Sequence, residues 1–197
     1  PSSPYISLGA PGGGTASSAD ELADILISNS DHQIRREAAR ALGDLGPAAA
    51  GSAPALARAL GDTDVQTRRN AALALSKVGA PALKELRTLL AALKDPDFQT
   101  RRHVLMALCS LKPLPPAAGK PLAAALRDDD HQVRRDSAIG LSDMTPVPTG
   151  AALALAAGLG DPDTQTRRNC ALALARMKRL PRAAVPALAA ALQDEDT

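Results

Sequence analysis

A pair of arginines recurs every 33 residues along this chain, at Arg35-Arg36, Arg68-Arg69, Arg101-Arg102, Arg134-Arg135 and Arg167-Arg168. The step never slips. A glutamine two places ahead keeps the same step (Gln33, Gln66, Gln99, Gln132, Gln165), and so does an aspartate (Asp31, Asp64, Asp97, Asp130, Asp163, Asp196). Residues 66–75, QTRRNAALAL, and 165–174, QTRRNCALAL, differ at one position. A fixed period of this kind marks a repeat array, in which each unit buries its apolar face against its neighbours. The 197 residues therefore read as one elongated unit rather than as separate globular domains.

Each repeat predicts two helices. The first ends in an apolar run such as ALARAL (55–60) or LAAAL (122–126), with Leu60, Leu93, Leu126, Leu159 and Leu192 in one column. A D-x-D turn follows, as in Asp62-Thr63-Asp64 and Asp95-Pro96-Asp97, and its second aspartate is placed to cap the next helix. Glycine or proline closes most repeats, at Gly46-Pro47, Pro81, Pro113 and Pro146. Residues 1–18, rich in Pro, Gly and Ser, read as an extended arm in which Tyr5-Ile6-Ser7-Leu8 could still dock. Ser18 and Glu21 form a capping box, so the first helix is expected near Ala19. Residues 19–197 then hold five full repeats and the first helix of a sixth. The chain opens at Pro1 without a methionine, which suggests processing or trimming, and stops where a sixth second helix is due, which leaves room for the natural protein to continue.

On a helical wheel, positions 34, 38, 41, 42 and 45 of the second helix share one side. Their columns are apolar or small, and one of them is five leucines: Leu42, Leu75, Leu108, Leu141 and Leu174. With Tyr5 and Phe98 as the only aromatics in a chain that is 45% apolar, Ala and Leu build nearly all of this core. Met144 and Met177 read as core filler within it.

The pattern D-x-D-x-x-[VIT]-R-x-x-A-A-x-A-L, as in DTDVQTRRNAALAL, resembles the HEAT-repeat family, in particular the short HEAT-like repeats of the phycobilisome-lyase type. The resemblance covers residues 19–197. It implies an all-α fold: an α-solenoid of paired antiparallel helices, a right-handed superhelix with the second helices on the concave side. It also implies that the first arginine of each pair (Arg35, Arg68, Arg101, Arg134, Arg167) joins an Asp–Arg ladder between repeats. The ankyrin T-P-L-H and the aromatics of tetratricopeptide repeats are absent.

Opposite the core lie positions 33, 36, 40 and 43. Position 40 reads Arg40, then Leu73, Met106, Ile139 and Leu172, so four consecutive repeats place an apolar side chain away from the core. One reading is contact within the fold, or scattered surface apolars. The other is a binding track along the concave face. In that reading the second arginines (Arg36, Arg69, Arg102, Arg135, Arg168) pair carboxylates or phosphates of a partner, and Gln66, Gln99, Gln132 and Gln165 meet its backbone. The small column Gly43, Ser76, Cys109, Ser142, Ala175 would let that partner approach closely. Position 37 varies (Glu37, Asn70, His103, Asp136, Asn169) and reads mainly as hydrogen bonding between repeats.

No catalytic constellation emerges. HEAT-like deoxyhypusine hydroxylases hold two irons through His-Glu pairs, and the matching positions here carry none, as in Arg102-His103 and Arg135-Asp136. The HEAT-like DNA glycosylases use aromatic side chains, and this chain has no Trp. No cofactor or metal is expected. A net charge of +2 is too small to argue for nucleic acid. There is no run of 18 apolar residues and no visible signal peptide. Cys109 and Cys170 read as free thiols, which favours a reducing compartment. The expected function is a non-catalytic scaffold that binds a protein segment carrying apolar and acidic residues. The alternatives are a phycobilin lyase or isomerase-like subunit holding a tetrapyrrole, and a purely structural peripheral subunit of a large assembly.

Overall fold

A computed structural model describes residues 15–191, apart from the side chains at 15–17, 80, 81 and 191. Most of the N-terminal arm, with Tyr5, Ile6 and Leu8, lies outside the described residues, as do Leu192 and the closing Asp194-Glu195-Asp196-Thr197. Eleven α-helices follow one another among the described residues: α1 (Thr15–Ser28), α2 (His32–Leu45), α3 (Ala53–Ala59), α4 (Val65–Val78), α5 (Leu86–Ala92), α6 (Phe98–Ser110), α7 (Gly119–Ala125), α8 (His131–Asp143), α9 (Ala152–Gly158), α10 (Thr164–Ala175) and α11 (Val185–Ala191). Helix α1 opens at Thr15, ahead of the Ser18-Glu21 box, which therefore sits inside the helix rather than at its cap.

The odd-numbered helices are the first of each repeat and the even-numbered ones the second. From α3 onward the first helices are short, seven residues each, and each is entered through a 3₁₀ turn. Prolines such as Pro47 and Pro116 open those turns, where a missing N–H costs nothing. Gly46 and Gly79 end α2 and α4 at φ of 56° and 77°, a region a side chain would strain. Helices α6 and α8 end differently. Leu111 and Met144 swing into extended backbone, and cis Lys112-Pro113 and Thr145-Pro146 follow.

The core is the stripe that the wheel predicts. Leu42, Leu75, Leu108 and Leu141 are fully buried and Leu174 nearly so. Facing them from the first helices are Leu26, Leu56, Leu89, Leu122 and Leu155, all buried. Each such leucine contributes roughly 1.5–3 kcal/mol through removal from water. Neighbouring second helices pack along their length, whereas first helices of adjacent repeats touch sparsely. Helices α2, α4, α6, α8 and α10 thus form the closely packed side of the stack, the side that the resemblance to HEAT repeats makes the inner, concave face.

The small column at position 43 helps set that tight packing. A Cβ added to the buried Gly43 would come within 3.1 Å of the Ala74 Cβ. One added to Gly140 would lie 3.1 Å from the Cys109 sulfur. Gly43 and Ser142 are buried, and Ser76 and Cys109 half-buried. From Gly43 to Ser142 this column therefore serves helix–helix approach within the array rather than the approach of a partner, while Ala175 at its end is exposed.

Candidate functional site: the concave face and its arginine ladders

The D-x-D turns organise the inner face. The first carboxylate of each turn accepts from the backbone N–H of the second, as Asp62 does from Asp64 at 2.8 Å. The second then caps the helix: Asp64, Asp97 and Asp163 each accept from a threonine N–H and from the same threonine's hydroxyl, at 2.8–2.9 Å. Thr67, Thr100 and Thr166 thus line the core and also complete the cap, which explains hydroxyls within an apolar stripe.

Both arginines of the pair grip these turns. In the first column, Arg35, Arg68, Arg101 and Arg134 bond Asp62, Asp95, Asp128 and Asp161 of the following repeat through two nitrogens each. The third nitrogen donates to a carbonyl of the arginine's own turn, for example Arg101 Nη1 to Asp95 O at 2.8 Å. Each guanidinium therefore ties three chain segments together, as its planar fork permits. This is the ladder the family resemblance implies.

The second column is a ladder too, and this corrects its reading as a row of partner-facing charges. Arg36 bonds Asp64, Arg69 bonds Asp97 and Arg135 bonds Asp163, each through two nitrogens to the cap of the next helix. These guanidiniums hold the three carboxyls well below the usual carboxylate range, with the threonine bonds adding to the effect. Arg102 departs from the pattern. Its Nε reaches Asp136 at 3.3 Å, through one bond, instead of the cap Asp130. The Asp130 side chain accepts from the Gln132 and Val133 N–H groups, and Val133 has no hydroxyl to offer it. Burial pushes the Asp136 carboxyl upward and outweighs the lowering by Arg102. For Arg168 the equivalent aspartate is Asp196, outside the described residues.

Position 37 links repeats as expected. Asn70 Nδ2 donates to Arg36 O at 3.0 Å, and His103 Nδ1 lies 3.2 Å from Arg69 O, so that nitrogen carries the proton. Burial keeps His103 below the ordinary histidine range. Burial also pushes the Cys109 thiol to about 11 and Cys170 to about 12, which leaves both as inert thiols near neutrality.

Position 40 stands clear of all this. Met106 is 40% exposed, Ile139 36% and Leu172 49%, while Leu73 is half-buried. Arg40, at the head of the column, is held by Glu37 at 2.8 Å and Asp44 at 3.4 Å, and Lys77 reaches Asp44 at 3.3 Å. The apolar strip thus begins behind a charged cluster and runs toward α10. Gln66, Gln99 and Gln165 are exposed and Gln132 is half-buried; Gln66 donates to Asn70 at 3.0 Å. The helical wheel finds the strip. It misses the second ladder, because a wheel describes one helix and the carboxylates come from the next repeat.

Antiparallel helix pairs stacked in fixed register and laced by two arginine ladders define an α-solenoid. The model for HEAT repeats matches residues 19–92 and 80–142, and that for the PBS lyase HEAT-like repeat matches 166–194. The chain belongs to the HEAT-repeat family. Its fold is similar to that of an engineered protein solved by a structural genomics consortium, with a TM-score of 0.69, 20% identity, and coverage of 90% of this chain and 88% of the other. It is also similar to a computationally designed armadillo repeat protein for modular peptide recognition (TM-score 0.71, 15% identity, 82% and 83% covered). A designed armadillo repeat protein in complex with the peptide (KR)4 gives a TM-score of 0.67 at 16% identity, with 87% and 86% covered. No curated protein matches the chain. Among the described residues no helix is long and apolar enough to cross a membrane.

Proposed function

We propose that the chain is a non-catalytic scaffold that binds a protein segment along its concave face. The observation that carries this reading is the strip of Leu73, Met106, Ile139 and Leu172, apolar at one position in four consecutive repeats and exposed at three of them. Adjacent repeats set equivalent side chains about 10 Å apart, the helix-packing distance. A partner helix advancing ~1.5 Å per residue offers an apolar side chain at nearly that spacing every heptad. Gln66, Gln99, Gln132 and Gln165 would hydrogen-bond along its flank. Since Arg36, Arg69 and Arg135 are engaged with aspartates, acidic residues of the partner would be met mainly by Arg102, whose single long bond leaves donors available. The designed armadillo proteins of similar fold, one described as built for peptide recognition and one bound to a peptide, support a segment-binding use of such a stack.

The test is Met106→Ser combined with Ile139→Ser. Exposed substitutions move stability by under about 0.5 kcal/mol, so the melting curve should be nearly unchanged. Central apolar anchors carry much of an interface's energy, so partners captured from a gentle lysate by the parent chain should be lost by the double variant. Identical capture by the two folded chains would overturn the reading.

A further inference from the structure

On the outer face, a groove of about 910 Å³ opens between α5 and α7 at the junction of repeats three and four. That is near the upper end of the roughly 300–1,000 Å³ typical of ligand pockets. Leu90, Leu93, Pro96 and Pro121 give it an apolar lining. Its acids are largely committed: Arg68 holds Asp95 and Arg101 holds Asp128, which leaves Asp129. Against these stand Lys94, Lys120 and Arg127, all exposed and none with an ion-pair partner among the described residues. Two of these cations are local to this junction. The column containing Lys94 and Arg127 reads Ser28, Gly61, Lys94, Arg127, Gly160, so the flanking repeats carry small neutral residues there. The inner helices α6 and α8 also pack less closely here than the other neighbouring pairs do.

We infer that this outer groove is a second docking site, and that its occupant is a short acidic segment of a partner protein that seats an apolar side chain between α5 and α7 with its carboxylates on Lys94, Lys120 and Arg127. The apolar lining needs an apolar anchor, and three cations facing one uncommitted acid select negative charge. The site is separate from the concave strip, because none of Leu73, Met106, Ile139 and Leu172 lines it.

Randomised dodecapeptides displayed on phage, selected on the full chain, provide the probe. They are sorted for loss of binding to a Lys94→Glu/Lys120→Glu/Arg127→Glu chain, whose fold circular dichroism checks. The expected result is a set combining Asp or Glu with Leu, Ile or Phe that binds the charge-reversed chain about ten-fold or more weakly. Ala124→Gln, which keeps the charge but sets an amide among the apolar lining residues, should weaken the same set. The Met106→Ser/Ile139→Ser chain should bind it as the parent does, so failure of the concave reading leaves this one standing. The inference is overturned if no selected peptide depends on the three cations, if dependent peptides need acidic but no apolar residues, if Ala124→Gln has no effect, or if the concave pair abolishes their binding.

Discussion

The junction between repeats two and three and the junction between repeats three and four are built from the same parts and differ in one ladder. At both, a first-column arginine bonds the leading aspartate of the next turn through two nitrogens: Arg68 with Asp95, and Arg101 with Asp128. At the earlier junction Arg69 also clamps the cap Asp97, and α4 and α6 pack closely. At the later one Arg102 makes a single bond to Asp136, and α6 and α8 pack more loosely. Two residues account for the change. Val133 removes the hydroxyl that helps fix the cap carboxylate at Asp64, Asp97 and Asp163, and Asp136 offers Arg102 a competing acceptor. The lesson is that the first ladder maintains the stack while the second adjusts it repeat by repeat. In an array whose stability is a sum over neighbours, such a junction is the weak link. The outer groove opens at the same place.

The largest effect should come from removing what the two junctions share. Leu108 is fully buried in α6, which contacts both neighbouring repeats. Leu108→Ala should cost about 2–5 kcal/mol through lost burial and a residual cavity. A thermal melt unchanged from the parent would mean that α6 is turned the other way round.

A smaller effect should separate the ladders. Arg69→Ala removes a bidentate, charge-assisted pair and leaves the cap Asp97 exposed to its own desolvation, for about 1–3 kcal/mol. Arg102→Ala breaks one long bond at a partly exposed site and should cost about 0.5 kcal/mol or less. Equal losses in urea melts would erase the distinction between the junctions. The Arg69 effect should also depend on pH. The Asp97 carboxyl is depressed in the folded chain, so its contribution is present above the unfolded value of about 3.9 and is lost as pH falls through the folded one.

The smallest effect should be a gain. Asp136→Asn would give position 136 the same amide with which Asn70, its equivalent two repeats earlier, donates to the preceding repeat's Arg36 carbonyl, and it would leave Arg102 able to reach Asp130. The Asp136 carboxyl is raised in the folded chain, so ionising it disfavours folding once pH rises through its folded value. The variant should therefore melt slightly higher than the parent at pH 7. That advantage should fade in acid, where Asp136 is neutral in both states. A lower melting temperature at pH 7 would show that the Arg102–Asp136 contact holds the junction together.

The sequence by itself determined the repeat, the two helices per unit, the leucine core and the apolar strip, while the first ladder came from the resemblance to HEAT repeats. Each depends on a period, and a period is visible along one chain: the 33-residue step fixes which residues are equivalent, and the turn of a helix fixes which face they share. It did not reveal where α1 begins, because Ser18-Glu21 can cap a helix or lie within one. Only the tertiary structure decided that Arg36, Arg69 and Arg135 belong to the scaffold, that the small column packs helix against helix, and that Arg102 stands apart. The reason is physical. Those outcomes depend on which carboxylate of the next repeat lies within about 3 Å of a guanidinium, and that distance is set by how closely two helices pack, a quantity no periodicity within either helix contains.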